Sequence, residues 1–160
     1  MEKFVKSLKT EDFDALEKLA ATIWNETYKN LLSQQQIDYM LSEFQSTKAF
    51  KQQYQQGYIY RGLFVGEKLV GYSGSVLEGD RVFLSKLYLQ KEYRGLGLGR
   101  FLLEDVLELY PDSKSIYLTV NKNNPVFELY KSWGFKVIDS VVSDIGNGYV
   151  MDDYVLQLDR

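Results

Sequence analysis

The stretch Tyr93-Arg94-Gly95-Leu96-Gly97-Leu98-Gly99-Arg100 limits what the rest of this chain can become. Glycines at alternate positions weaken both strand and helix interiors, since each adds freedom to the unfolded chain and offers no side chain to pack. They suit a turn whose backbone amides approach one object closely. The run before it, residues 82–89, is strand-like, and the run after it, residues 99–110, repeats its apolar residues at helical spacing. A helix N-terminus leaves amides unpaired and carries partial positive charge, so an anion is its natural occupant. Arg94 and Arg100 flank the turn with fixed charge. The pattern predicts an anion cradle, read as the seat of a cofactor's diphosphate.

The flanking segments set the fold class. Residues 4–8 read as a strand. Thr10 is placed as a helix N-cap with Glu11 and Asp12 in the first turn, ahead of Leu16, Leu19, Ala20, Ile23, Trp24 and Tyr28 at helical spacing. Ser33 and Gln36 form a capping-box pattern before Ile37, Met40, Leu41 and Phe44, and a further short helix is expected over 48–54. Strands over 58–65, 69–77 and 81–89 are joined by short turns, which implies antiparallel hairpins. Gly71 and Gly74 in the second of these mark a bulge or a close backbone approach.

Beyond the glycine turn, Pro111 ends the helix and residues 115–120 form a strand. A polar loop over 121–124 leads to a helix opened by Pro125 and stopped by Gly134. Strands over 135–142 and 149–158 flank Asn147-Gly148, a strong hairpin signal. The order is β-α-α-β-β-β-α-β-α-β-β, an α/β (α+β) fold on one mixed sheet, taken as a single domain over 1–160. Residues 82–142 are expected to be parallel, with right-handed crossovers.

Composition removes several classes of function. A length of 160 residues suits one full core. The formal net charge of −3 disfavours general nucleic-acid binding, which needs a basic face. There is no Cys, which excludes disulfides, cysteine-held metals and a cysteine acyl-enzyme. There is no His, which removes the commonest general base and metal ligand, and no metal is expected. No apolar run reaches membrane-spanning length, so the reading is a soluble, cytoplasmic domain.

The glycine turn fails two nucleotide patterns. A P-loop needs Lys and Ser or Thr after its last glycine, where this chain has Arg100-Phe101. A dinucleotide fingerprint needs G-x-G-x-x-G and an acid after the next strand, where this chain has G-x-G-x-G and Val120-Asn121.

Arg94 to Gly99 instead resembles R-x-x-G-x-G, the pyrophosphate loop of the GCN5-related N-acetyltransferases (GNAT). The segment 123–135, Asn-Asn-Pro-Val-Phe-Glu-Leu-Tyr-Lys-Ser-Trp-Gly-Phe, resembles that family's second motif at the expected distance. The element order matches over essentially the whole chain. The resemblance implies acetyl-CoA as cofactor, its diphosphate on the amides of Arg94, Gly95, Leu96, Gly97, Leu98, Gly99 and Arg100. It implies a pantetheine arm lying in a splay between strands 81–89 and 115–120. The backbone around Leu87, Tyr88 and Leu89 would meet that arm, with an N–H placed to stabilise the developing oxyanion. Asn123 would hydrogen-bond the cofactor.

The implied reaction is direct acetyl transfer to a primary amine of a small molecule. Tyr130 matches the family tyrosine near the cofactor sulfur, a general acid for the departing thiolate; the competing reading, an aromatic that only packs on its helix, is the weaker of the two. The base is open among Asp38, Glu43, Glu78, Asp152 and Asp153, any of which surface solvation also explains. Lys86, within a mostly apolar strand, is expected to point outward from the sheet edge. By family resemblance the acceptor pocket draws on residues 24–44 and 144–154. Trp24, Tyr28 and Tyr39, with Asp152 and Asp153, suit a polycation through cation–π and charge contacts. Residues 27–29 and 146–154 are similar to bacterial spermidine/spermine acetyltransferases (PaiA-like). Protein N-terminal amines, other metabolite amines and an acetyl-CoA sensor without turnover stay open. Many family members dimerise through their last strands, and a homodimer is left open on that ground.

Overall fold

The computed structural model describes residues 2–160. Its strands are β1 (Lys3–Ser7), β2 (Ile59–Val65), β3 (Lys68–Glu78), β4 (Arg81–Leu89), β5 (Ser115–Asn121), β6 (Lys136–Gly146) and β7 (Tyr149–Asp159). Its helices are α1 (Phe13–Tyr28), α2 (Gln34–Phe44), α3 (Thr47–Gln55), α4 (Leu98–Leu109) and α5 (Val126–Ser132). The strands form a seven-stranded sheet in the order β1-β2-β3-β4-β5-β7-β6. No helix among the described residues is long and apolar enough to cross a membrane.

The chain opens differently from the expected cap at Thr10. A 3-10 turn over Thr10–Asp12 precedes α1, and the Asp12 carboxylate accepts the Lys9 amide at 2.8 Å. Ser33 caps α2 through Gln36 N–H at 3.1 Å. The Gln36 side chain does not close the capping box; its amide reaches the Val150 carbonyl at 3.4 Å, tying α2 to β7.

Apolar stripes cover both sheet faces. On one face, Phe13, Leu16, Ala20 and Ile23 of α1 and Phe50 of α3 pack on Tyr60 and Tyr72. Tyr60 meets Phe13 and Phe50 edge to face, at 5.6 and 5.2 Å between centroids, and the two phenylalanines are tilted on each other at 5.8 Å. On the other face, Leu103 and Val106 of α4 and Tyr130 of α5 pack on Val82, Leu84, Ile116 and Leu118. Arg61 and Asp105 tie β2 to α4 through two hydrogen bonds, at 2.6 and 2.9 Å.

The parallel expectation holds for β4 and β5 but not for a continuous ladder to β6. The hairpin at Asn147-Gly148 folds β7 back between β5 and β6, antiparallel to both. Asn147 and Gly148 have φ of 54° and 79°, the left-handed pair that a two-residue hairpin turn demands.

Two irregularities make room for a ligand. Gly74 of β3 pairs with Lys86, but Ser75 pairs with Leu84, so Ser85 is an extra residue in β4. A one-residue bulge reverses the side-chain alternation beyond it. Leu84 accordingly faces α4, and Lys86 faces α3. The second irregularity is a splay. β4 and β5 pair only at Arg81–Ser115, Val82–Ile116 and Phe83–Tyr117. Past Phe83, β4 keeps only its β3 partner, and β5 keeps only β7.

Candidate active site

The glycine turn sits at the mouth of the splay. Gly95 and Gly97 have φ of 79° and 78°, and Gly97 is the N-cap of α4. Phe101 is the first amide of α4 to find a backbone acceptor, Gly97 O at 3.1 Å. The amides from 95 to 100 make no hydrogen bond among the described residues. Such a row of unpaired donors at a helix N-terminus fits a diphosphate. Gly99 has a packing reason as well: a Cβ there would stand 3.1 Å from the Trp133 ring. Arg94 is partly engaged inside the protein, donating to Leu89 O and Thr27 Oγ1, each at 3.0 Å. Arg100 pairs with Glu104 at 3.2 Å.

The splayed edge of β4 supplies donors for an extended ligand. Gln90 N–H bonds Val70 O on β3 at 2.9 Å. Along an extended strand the backbone groups alternate in direction, so those of Leu87 and Leu89 point to the opposite edge, into the splay. A cavity of about 670 Å³ runs from the glycine turn along both splayed strands to α1 and α2.

Aromatic hydroxyls gather where the cavity crosses the sheet. Tyr130 is 5% exposed, T-stacked on Trp133 and packed against Phe135. Its hydroxyl makes no hydrogen bond among the described residues, and burial pushes its pKa above the ordinary phenol value. Tyr28, under Trp24 with centroids 4.7 Å apart, is pushed up to about 12 by burial and accepts a bond from Asn124 Nδ2 at 3.4 Å. Tyr88 completes the group, packing on Trp24 and Tyr72.

Asp153 is the acid that lines the cavity. Its Oδ1 is buried with no hydrogen-bond partner. Burial, and then the neighbouring charge of Asp152, raise its pKa from 3.8 to about 6, against a smaller opposing effect of Lys122. Asp152 is on the other face of β7, pairs with Lys122 at 3.0 Å and does not line the cavity.

Lys86 requires a correction. It is 3% exposed and lines the cavity, instead of pointing outward from a sheet edge. Its Nζ donates to Tyr60 Oη at 2.6 Å and to Gln53 Oε1. β4 lies inside the sheet between β3 and β5, with helices on both faces, so neither face points outward, and the bulge at Ser85 turns Lys86 to the face of α3.

Other expected residues divide. Trp24, Tyr28, Leu87, Tyr88, Leu89, Arg94, Gly95, Gly97, Gly99, Arg100 and Tyr130 all line the cavity. Leu96 is exposed, and Leu98 packs its side chain against Leu63 and Val70; only their amides belong to the turn. Asn123 is exposed, while the next residue, Asn124, lines the cavity. Tyr39 bonds Ile145 O at 2.8 Å and packs on Tyr149, bracing the β6–β7 hairpin from outside the cavity. Asp38, Glu43 and Glu78 do not line it either. Gln45 and Gln53 do, and the sequence had not singled them out. On helices rich in glutamine, nothing distinguishes an inward Gln from a solvated one.

A parallel pair splayed beside a glycine-rich helix N-terminus defines the class: a transferase that holds an acyl-CoA. The description "Acetyltransferase (GNAT) domain" is matched over residues 28–154, and the chain belongs to this family. It is an N-acetyltransferase with acetyl-CoA as its acetyl donor. It is similar to the spermidine N(1)-acetyltransferase of Thermoplasma acidophilum, 28% identical over 149 residues, 88% of this chain and 92% of that one. It is also similar to the spermine/spermidine N(1)-acetyltransferase of Bacillus subtilis, 32% identical over 120 residues, 66% of this chain and 76% of that one. The fold matches that of the PaiA N-acetyltransferase of Thermoplasma acidophilum, solved in complex with coenzyme A. The TM-score is 0.85 at 23% identity, over 100% of both chains.

Proposed function

We propose that the protein transfers acetyl directly to a primary amine of a polyamine. The observation that carries this is Asp153, a carboxylate with an unpartnered buried oxygen on the cavity wall, beside Trp24 and Tyr28. An unpaired carboxylate among aromatic faces favours an ammonium, and a flexible polycation can add cation–π contacts. The names of the relatives, spermidine and spermine acetyltransferases, support the same acceptor class.

Bound acetyl-CoA supplies the acetyl group as a thioester. The chain does the rest. Amides from 95 to 100 fix the diphosphate end, and the Leu87 and Leu89 backbone orients the arm along β4. Asp153 draws the ammonium in by charge and is the acceptor for the proton that the amine must lose. A base of pKa near 6 is suited to that task at neutral pH. Tyr130 keeps its proton at neutral pH, since burial raises its pKa. Its hydroxyl is the donor for a departing thiolate.

The test is the pH dependence of kcat/KM for spermidine. Asp153 is neutral below about pH 6 and charged above it, so wild type should gain activity as pH rises through 6. Asp153→Asn should lose that limb and fall by about 10²-fold at neutral pH. A variant with wild-type kcat/KM and the same limb would remove Asp153 from the reaction.

A further inference from the structure

Lys86 is the buried lysine among the described residues. The groups facing it are Gln53 and Phe50 from α3 and Tyr60 from β2; across the ladder on β3 lies Gly74. No carboxylate pairs with it among the described residues. Burial without a counter-charge lowers its pKa from 10.5 to about 7. Its amine is therefore neutral, and nucleophilic, far more often than an exposed lysine at the same pH. It lines the same cavity as Leu87, Leu89 and Tyr130, where the proposed mechanism places the acetyl donor and its thiol. Its partners, the Gln53 carbonyl and the Tyr60 hydroxyl, hold it in the wall without neutralising it.

We propose that Lys86 is an internal acetyl acceptor: without an amine substrate, its Nζ takes the acetyl group from the protein's own bound acetyl-CoA, and the acetamide stays in the cavity wall. The Nζ lone pair forms the new C–N bond as the acetyl–sulfur bond breaks. The electron pair of that bond leaves on sulfur, and a nitrogen proton is passed to the thiolate. The products are Nζ-acetyl-Lys86 and the free thiol of coenzyme A, with no further reactant. The change replaces a basic amine by a neutral amide whose carbonyl can only accept. A cavity that must admit a polycation then loses the buried amine that can take up a proton and compete with it. That consequence rests on the polyamine reading; the modification itself needs only acetyl-CoA.

The experiment is peptide mass spectrometry of the full chain after incubation with acetyl-CoA labelled with ¹³C in the acetyl group, in the absence of amine. Label should accumulate on Lys86 about tenfold or more above exposed lysines such as Lys3, Lys6 and Lys48, because its neutral fraction at pH 7 is larger. The preference should vanish in the heat-unfolded chain. Lys86 without label while exposed lysines carry it, or equal labelling after unfolding, overturns the proposal. A second readout is the KM for spermidine, expected to be lower in Lys86→Gln than in Lys86→Arg. Equal KM values would overturn the effect on acceptor charge. Labelled Lys86 in a protein that acetylates no polyamine would sink the polyamine reading and leave the modification standing. Polyamine acetylation with unlabelled Lys86 would do the reverse.

Discussion

Tyr130 is the residue whose proposed role separates most cleanly from its packing. Phenylalanine keeps the contacts to Trp133 and Phe135 and removes a hydroxyl that has no protein partner. Tyr130→Phe should lower kcat by about 10²-fold and leave the melting temperature nearly unchanged, checked by thiol release and thermal unfolding. A normal kcat would reduce Tyr130 to a packing residue. Motif spacing made this residue legible. Neighbouring pairs were harder. Asp152 and Asp153 are adjacent on a strand, so they face opposite ways and only one can line the cavity. The sequence has no means of choosing until the register against β6 and β5 is known. Lys86 was misplaced because β4 is an interior strand and not an edge, and its face was hidden as well: a single extra residue at Ser85 reverses the alternation, and serine carries no signal of a bulge. The glycine that hinted at one, Gly74, sits on the partner strand.

The elements that position the site were legible where turn chemistry is strict. Gly134, with φ of 101°, stops α5, and Asn147-Gly148 turns the last hairpin. The place of β7 was not legible, because either strand of a hairpin can pair with β5 and both carry similar apolar alternation. At this scale the glycine turn makes its own prediction. Gly97→Ala puts a Cβ at a φ of 78°. That costs about 1–2 kcal/mol, and the melting temperature should fall by roughly 2–8 °C. The KM for acetyl-CoA should rise, since the amides of α4 would no longer converge. An unchanged KM would mean that the amides bind no diphosphate. The Arg61–Asp105 pair, with side chains 18% and 14% exposed, links β2 to α4 two helical turns beyond the glycine turn. Asp105→Ala should lower the unfolding free energy by about 2 kcal/mol in urea, as it leaves a half-buried guanidinium unpaired.

For the whole molecule, the splay and the bulge are one device. The helices cover both faces of the sheet, and the parallel pair opens only beyond Phe83, leaving a cavity that crosses the sheet from the glycine turn to α1 and α2. In the proposed mechanism donor and acceptor enter from different sides and meet beside Tyr130. Acetyl-CoA bridging β4, β5 and α4 should stabilise the folded state by about 2.7 kcal/mol at a hundredfold excess over its Kd, seen as a rise in melting temperature. The amine proposed to arrive there is a polyamine. Incubation with acetyl-CoA and an equimolar panel of spermidine, spermine, an aminoglycoside and a peptide with a free N-terminus, followed by mass spectrometry of the products, tests it directly. Acetylated spermidine and spermine should appear well ahead of the rest. Thiol release with only the peptide or the aminoglycoside acetylated would contradict it.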